Sequence, residues 1–232
     1  MTAPRSPHPL DDPIWSCLAT RHAYLALGGA LARRYPADIS PIGALSGTGR
    51  EHVDALEVLV AEGDDIAFFG PSVPALDGRW KTLHEARLTQ MIRTDRSPLP
   101  ESDAEVLALR AEDVPEMLAL VELTKPGPFR TRTIELGTYI GVRERGRLVA
   151  MAGERMWVGS FRELSAVCTH PDAQGRGYAR GLIARVVNRM LRAGETPFLN
   201  VENSKPGVID LYTTLGFTRR AEYPLLYAQR VA

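Results

Sequence analysis

The sequence is poor in cysteine, in net charge and in long apolar runs. Cys17 and Cys168 are its two cysteines in 232 residues. They stand far apart and fit no metal-ligand spacing, so no metal site is expected. A reduced, intracellular chain is the expectation from so few. Basic and acidic side chains balance at 28 each. The positive excess that a phosphate backbone selects is therefore missing, and nucleic acid is not an expected partner. No apolar run approaches bilayer-spanning length, so no membrane partner is expected. Residues 1–13 lack a basic stretch followed by an apolar one. They read as a flexible tail rather than a secretory signal, and the cytoplasm is the expected compartment.

What is present is an ordinary globular composition, long enough for one large domain or two small ones. Trp15, Leu18, Ala19, His22, Leu25 and Ala26 recur at helical spacing and predict a helix over 14–34, weakened at Gly28-Gly29. A short strand over 39–45, a helix over 50–62 and a buried strand over 65–69 follow. Residues 80–91 read as a strand and then a short helix. Residues 94–103, with Pro98 and Pro100 among polar neighbours, read as a linker. The half before it, 14–93, alternates helix and strand and carries no chemical motif.

Beyond the linker the pattern sharpens. A strand over 104–109 leads to a helix over 113–123, capped by Asp113 with Pro115 in its first turn. Residues 125–132 form a loop rich in Pro and Gly. Strands over 138–143 and 147–157 are joined by the hairpin turn Glu144-Arg145-Gly146, and a third strand spans 161–169. A helix over 175–193, a strand over 197–201, a helix over 207–215 and an extended stretch over 217–228 complete the order.

One segment carries chemistry. Gln174-Gly175-Arg176-Gly177-Tyr178-Ala179 lies between a strand and an amphipathic helix. The first turn of a helix leaves backbone N–H groups without internal partners, and its dipole adds partial positive charge there. Glycines at 175 and 177 let a diphosphate approach the backbone, and Arg176 and Arg180 add charge at the rim. A phosphate-binding P-loop requires Lys followed by Ser or Thr after its second glycine, where Tyr178-Ala179 stands here. A dinucleotide fingerprint requires a third glycine where Arg180 stands, although Glu202 lies a suitable distance downstream.

Gln174-x-x-Gly177-x-Ala179 resembles the Gln/Arg-x-x-Gly-x-Gly/Ala motif of the GNAT superfamily of N-acetyltransferases. Glu163 to His170 is similar to that family's fourth strand, and Leu211-Tyr212-Thr213-Thr214-Leu215-Gly216-Phe217 to its C-terminal signature. The resemblance covers 104–232. It implies an α/β (α+β) fold with a mainly antiparallel sheet flanked by helices, preceded by a smaller α/β half over 14–93. It also implies an enzyme that moves an acetyl group from acetyl-CoA, its co-substrate, to a primary amine of a small molecule, amino acid or peptide.

Carried over by position, the resemblance implies that Gln174, Gly175, Arg176, Gly177, Tyr178, Ala179 and Arg180 hold the diphosphate. Val167, Cys168 and Thr169 would pair with the pantetheine arm like an added strand. Glu163 is the candidate base for the amine, with Glu154 and Glu135 as weaker ones; a solvated strand-end carboxylate is the equal alternative for Glu163. Tyr212 is the candidate acid for the departing thiolate. Relatives carry Asn where Lys205 stands; Asn203, two residues earlier, is the substitute candidate for holding pantetheine. Cys168 and His170 share a strand face, but a buried Cys and a loop His are expected in place of a nucleophile and its base. Phe129, in the 125–132 loop, either lines the acceptor pocket or plugs the core.

The N-terminal half suits a degenerate acetyltransferase-like unit without its own CoA turn, walling off the acceptor cleft. Three rival classes remain: a non-catalytic acyl-CoA-binding or sensing module, a nucleotide- or NAD-binding domain, and an interaction protein that binds no CoA.

Overall fold

The computed structural model describes residues 8–231. The expected tail therefore falls partly outside the described residues. Within it, Leu10 is wholly buried, and its carbonyl accepts a hydrogen bond from the Tyr223 hydroxyl at 2.7 Å. Helix α1 (Pro13–Ala19) starts where Asp12 accepts from the Trp15 N–H at 3.2 Å and Pro13 fills the first turn.

The helix expected over 14–34 is far shorter. After α1 the chain turns into β1 (Leu27–Gly28) and β2 (Ala32–Arg34), which with β3 (Gly43–Leu45) make a three-stranded sheet. Gly28 causes the difference. It sits at φ 99°, and a Cβ there would stand 2.2 Å from the Ala32 carbonyl oxygen, so the chain reverses where a helix would have continued. Helix α2 (Arg50–Glu57) also stops short of the expected 62.

Among the described residues the main sheet has eight strands. Before residue 94 it takes β4 (Asp65–Phe69) and β5 (Trp80–Ile92); afterwards β6 (Leu107–Leu109), β7 (Tyr139–Glu144), β8 (Arg147–Val158), β9 (Phe161–Thr169), β10 (Thr196–Glu202) and β11 (Thr218–Arg230). Their order is β4-β11-β5-β10-β9-β8-β7-β6. All neighbours are antiparallel except β9 and β10, which run parallel. The short helix expected near 91 is absent because β5 is one strand throughout, paired along its length with β11 and with β10 at its end. Two-sided pairing outweighs local preference.

Helices α4 (Tyr178–Arg192) and α5 (Pro206–Thr214) pack with Ala150, Ala152, Leu164 and Leu199. Helix α3 (Val114–Thr124) packs with Leu148, Met151 and Cys168, and α1 with Met156, Val158 and Phe198. Neighbouring strand residues point to opposite faces, so Ala150 and Met151, or Phe198 and Leu199, place α4 on one face and α1 with α3 on the other.

The division expected at 94–103 does not extend to the sheet, because β5 sits between β10 and β11. The 94–103 segment is itself tied to α4. Asn188 accepts from the Leu99 N–H at 2.8 Å and donates to the Leu99 carbonyl at 2.9 Å. A fragment of residues 100–232 would strip β11 of both its neighbours, β4 and β5, and leave β10 with β9 alone. It is expected to show no cooperative unfolding by circular dichroism, and co-expression with residues 1–99 to restore it. A fragment that melts cooperatively alone would contradict this.

Candidate active site

The parallel pair sets the site. β9 and β10 are paired only from Phe161–Glu163 to Thr196–Phe198. Both strands run on, β9 to Thr169 and β10 to Glu202, without pairing further with each other. The sheet opens into a split with its apex at Glu163 and Phe198. On its other edge β9 carries a bulge: Ser165 faces Gly153 and Cys168 faces Met151, so Ala166 and Val167 share one place on β8. Ala166 takes φ 53°, the left-handed region that a side chain disfavours. Strained backbone of this kind is found where function holds it in place.

At the apex lies a buried ion pair that the sequence did not single out. Arg155 Nε donates to Glu163 Oε2 at 2.8 Å and Nη2 to Oε1 at 2.7 Å. Asn200 Nδ2 donates to Oε1 at 2.9 Å from across the split. Glu163 is 0% exposed. Both of its oxygens are engaged, so accepting a proton would break the pair. Glu163 is thus neither the solvated strand-end carboxylate nor a base open to the cleft. Glu154 is buried beside Arg162 at 3.7 Å and Arg189 of α4. Glu135 is bound to Arg132 at 2.7 Å. The sequence signal was Arg155 and Asn200, polar residues among mainly apolar ones in β8 and β10.

Beyond β9 the chain makes the glycine turn. The His170 ring caps a 3-10 turn over 171–173 by accepting from the Asp172 N–H at 3.2 Å. Gln174 is extended, and Gly175 and Gly177 take φ 76° and 79°. No atom lies within 4 Å of a Cβ built at either glycine, so the backbone is bare to approach. Gly177 precedes α4 without a side-chain cap. The N–H groups of Tyr178, Ala179 and Arg180 are thus left at the free end of a 15-residue helix. A diphosphate fits this cradle in both shape and charge. The side chains are occupied otherwise: Arg176 and Tyr178 bind Glu144, and Arg180 donates to Thr214 Oγ1 at 3.0 Å.

The remaining candidates divide. Cys168 is buried against α3, and burial pushes its thiol up to about 11, which leaves it protonated and unreactive. Thr169 Oγ1 is buried without a partner among the described residues. Tyr212 is buried in the α4-side core with its ring edge-on to Phe217, centroids 5.7 Å apart. Desolvation raises its phenol well above the usual value, so it keeps its proton at neutral pH. Asn203 is turned toward β5, its side-chain oxygen accepting from Thr89 Oγ1 at 2.7 Å. Lys205 Nζ reaches the Lys125 carbonyl at the end of α3, at 3.2 Å. Phe129 is buried against Tyr139, edge-on at 5.5 Å, and also borders a cleft of about 520 Å³ beside α3. That cleft does not include the glycine turn.

Comparison with known proteins agrees with this geometry. Residues 139–225 match the FR47-like protein family. A crystal structure from Novosphingobium aromaticivorans, classed as a GNAT-family acetyltransferase, is 34% identical. It superposes with a TM-score of 0.87 over 97% of this chain and 100% of its own. A GCN5-related N-acetyltransferase from Kribbella flavida shares the fold at 13% identity, with a TM-score of 0.64 over 96% of both chains. A GCN5-related N-acetyltransferase-like protein from Streptococcus suis does so at 15% identity, with a TM-score of 0.51 over 88% of this chain and 82% of its own. No curated protein matches the chain. The chain belongs to the GNAT family and has the acetyltransferase fold, a mixed α/β architecture for acyl transfer. Among the described residues no helix is long and apolar enough to cross a membrane, and no cluster of His, Cys, Asp and Glu is arranged to hold a metal ion.

Removing one partner of the apex pair leaves an unpaired buried charge. Arg155→Met is expected to cost about 3–5 kcal/mol in urea unfolding, and Arg155→Met with Glu163→Gln to recover much of it. Equal losses in the single and double variants would show that the pair is not what Glu163 needs.

Proposed function

We propose that the protein is an acetyl-CoA-dependent N-acetyltransferase acting on a primary amine of a small molecule, an amino acid or a peptide. One observation carries this reading: the bare glycine turn at the start of α4 lies one 3-10 turn beyond the strand β9 that has parted from β10. A ligand with a diphosphate at one end and an extended arm at the other matches that sequence of surfaces.

In this reading Gln174 and the amides from Gly175 to Arg180 hold the diphosphate. The free side of β9 at Val167, Cys168 and Thr169 takes the pantetheine arm as an added strand. Bound acetyl-CoA supplies the activated acyl carbon. The amine nitrogen forms a bond to that carbon as the carbon–sulfur bond breaks.

Two protons must then be handled. The departing thiolate has a free pKa of roughly 8.5, and Tyr212, which keeps its proton, is the candidate to neutralise it. The amine must lose a proton, and Glu163 is the candidate that the sequence offers. Its sealed pair with Arg155 favours a supporting part, with water carrying the proton away from the amine. The same seal favours a second reading, an acyl-CoA-binding module without turnover.

Calorimetric titration with acetyl-CoA, with NAD and ATP as controls, separates these readings. Saturable binding is expected for acetyl-CoA alone, abolished by Gly177→Glu, which fills the cradle and adds a negative charge. Tyr212→Phe is expected to leave binding intact and to lower acetyl transfer across an amine panel by about 10²-fold or more. Binding with no transfer to any amine in the wild type would select the sensing module. Absence of binding would remove both readings.

A further inference from the structure

The glycine turn has a built-in weakness. Gly175 and Gly177 both sit at positive φ with no side chain to fix them. Glycine gives up more conformational freedom on ordering than any other residue. A turn with two glycines would have to be ordered by its ligand, at a cost in affinity.

The residues between and after the glycines answer this. Arg176, between them, donates through Nη1 to both oxygens of Glu144, at 2.7 and 2.8 Å. Its Nη2 donates to the Asp172 carbonyl at 2.9 Å, tying the turn back to the preceding 3-10 turn. Tyr178, directly after Gly177, donates its hydroxyl to Glu144 Oε1 at 2.7 Å. The order is glycine, anchor, glycine, anchor, and both anchors meet on one carboxylate. Glu144 ends β7, at the hairpin into β8, so the carboxylate itself stands on the sheet. Hydrogen bonds from Tyr178 and then from Arg176 hold this carboxyl below its usual range, so it is fully ionised at neutral pH.

We propose that Glu144 is a positioning residue for the coenzyme turn: it fixes Arg176 and Tyr178 so that the amides of residues 175–180 converge before any ligand arrives. This rests on the reading of the turn as a diphosphate site. The sign of the effect distinguishes it from simple electrostatics. A carboxylate beside a polyanion's site repels the ligand, so its deletion alone should tighten binding. A positioning carboxylate predicts the reverse.

The test uses the full chain and two readouts. In the absence of ligand, Glu144→Ala is expected to speed amide hydrogen exchange at residues 175–179 while β8 and β9 keep their protection and Tm is little changed. By calorimetry the acetyl-CoA Kd of Glu144→Ala is expected to rise about tenfold, the scale of freeing one backbone residue. Glu144→Gln, which keeps an acceptor oxygen, is expected to recover part of that loss, and Tyr178→Phe to lose less than Glu144→Ala. Binding that is tighter or unchanged in Glu144→Ala would overturn the proposal, as would unchanged exchange at the turn. If the wild type fails to bind acetyl-CoA, the functional reading fails, and the exchange experiment still decides whether Glu144 holds the turn.

Discussion

Where β9 and β10 part, a guanidinium and a carboxylate lie together out of reach of water. Moving either charge alone into such a place costs several kcal/mol, and mutual attraction offsets this only when the remaining hydrogen-bonding sites are filled. Here Asn200 fills one of them, and it does so from the opposite strand, past the last paired position. The trio therefore joins β8, β9 and β10 at the point where the sheet stops being continuous.

The consequences run outward from that point. Past the apex the two strands diverge, and β9 is left with one edge free. The bulge at Ala166 and Val167 bends it while it keeps its pairing with β8. At its far end a single 3-10 turn leads to the glycine turn and α4, so the free strand edge and the free helix amides follow one another along the chain. Bare backbone at the glycines gives access, and the Glu144 carboxylate restrains what the glycines would loosen. β5, from the first part of the chain, lies on the other side of β10 and supports that wall of the split.

The elements from residue 104 onward were readable because each is local: the hairpin at Glu144–Gly146, the strand 161–169 and the amphipathic pattern of α4 state their own structure. The glycine turn was readable for the same reason. What failed depended on distant partners. Residues 80–92 carry a mixed local pattern and become one strand because β10 and β11 flank them. The stretch after α1 reads as helix until Gly28 meets the Ala32 carbonyl. Glu163 was a candidate by its position on the strand, while its sealed state depends on Arg155 and Asn200 from other strands. Asn203 was chosen by proximity in sequence, and the fold turned it to Thr89. Glu144 looked like an ordinary hairpin residue, since nothing local ties it to a turn some thirty residues on.

The central claim is that one groove, formed by the free edge of β9 and the turn before α4, holds acetyl-CoA. Amide hydrogen exchange with and without saturating acetyl-CoA tests it most directly. The account predicts slowed exchange in two stretches, residues 166–169 and 175–180, with the β4 and β6 edges unaffected. Protection confined to other segments, such as the cleft beside α3, or no protection at a concentration that saturates binding, would contradict it.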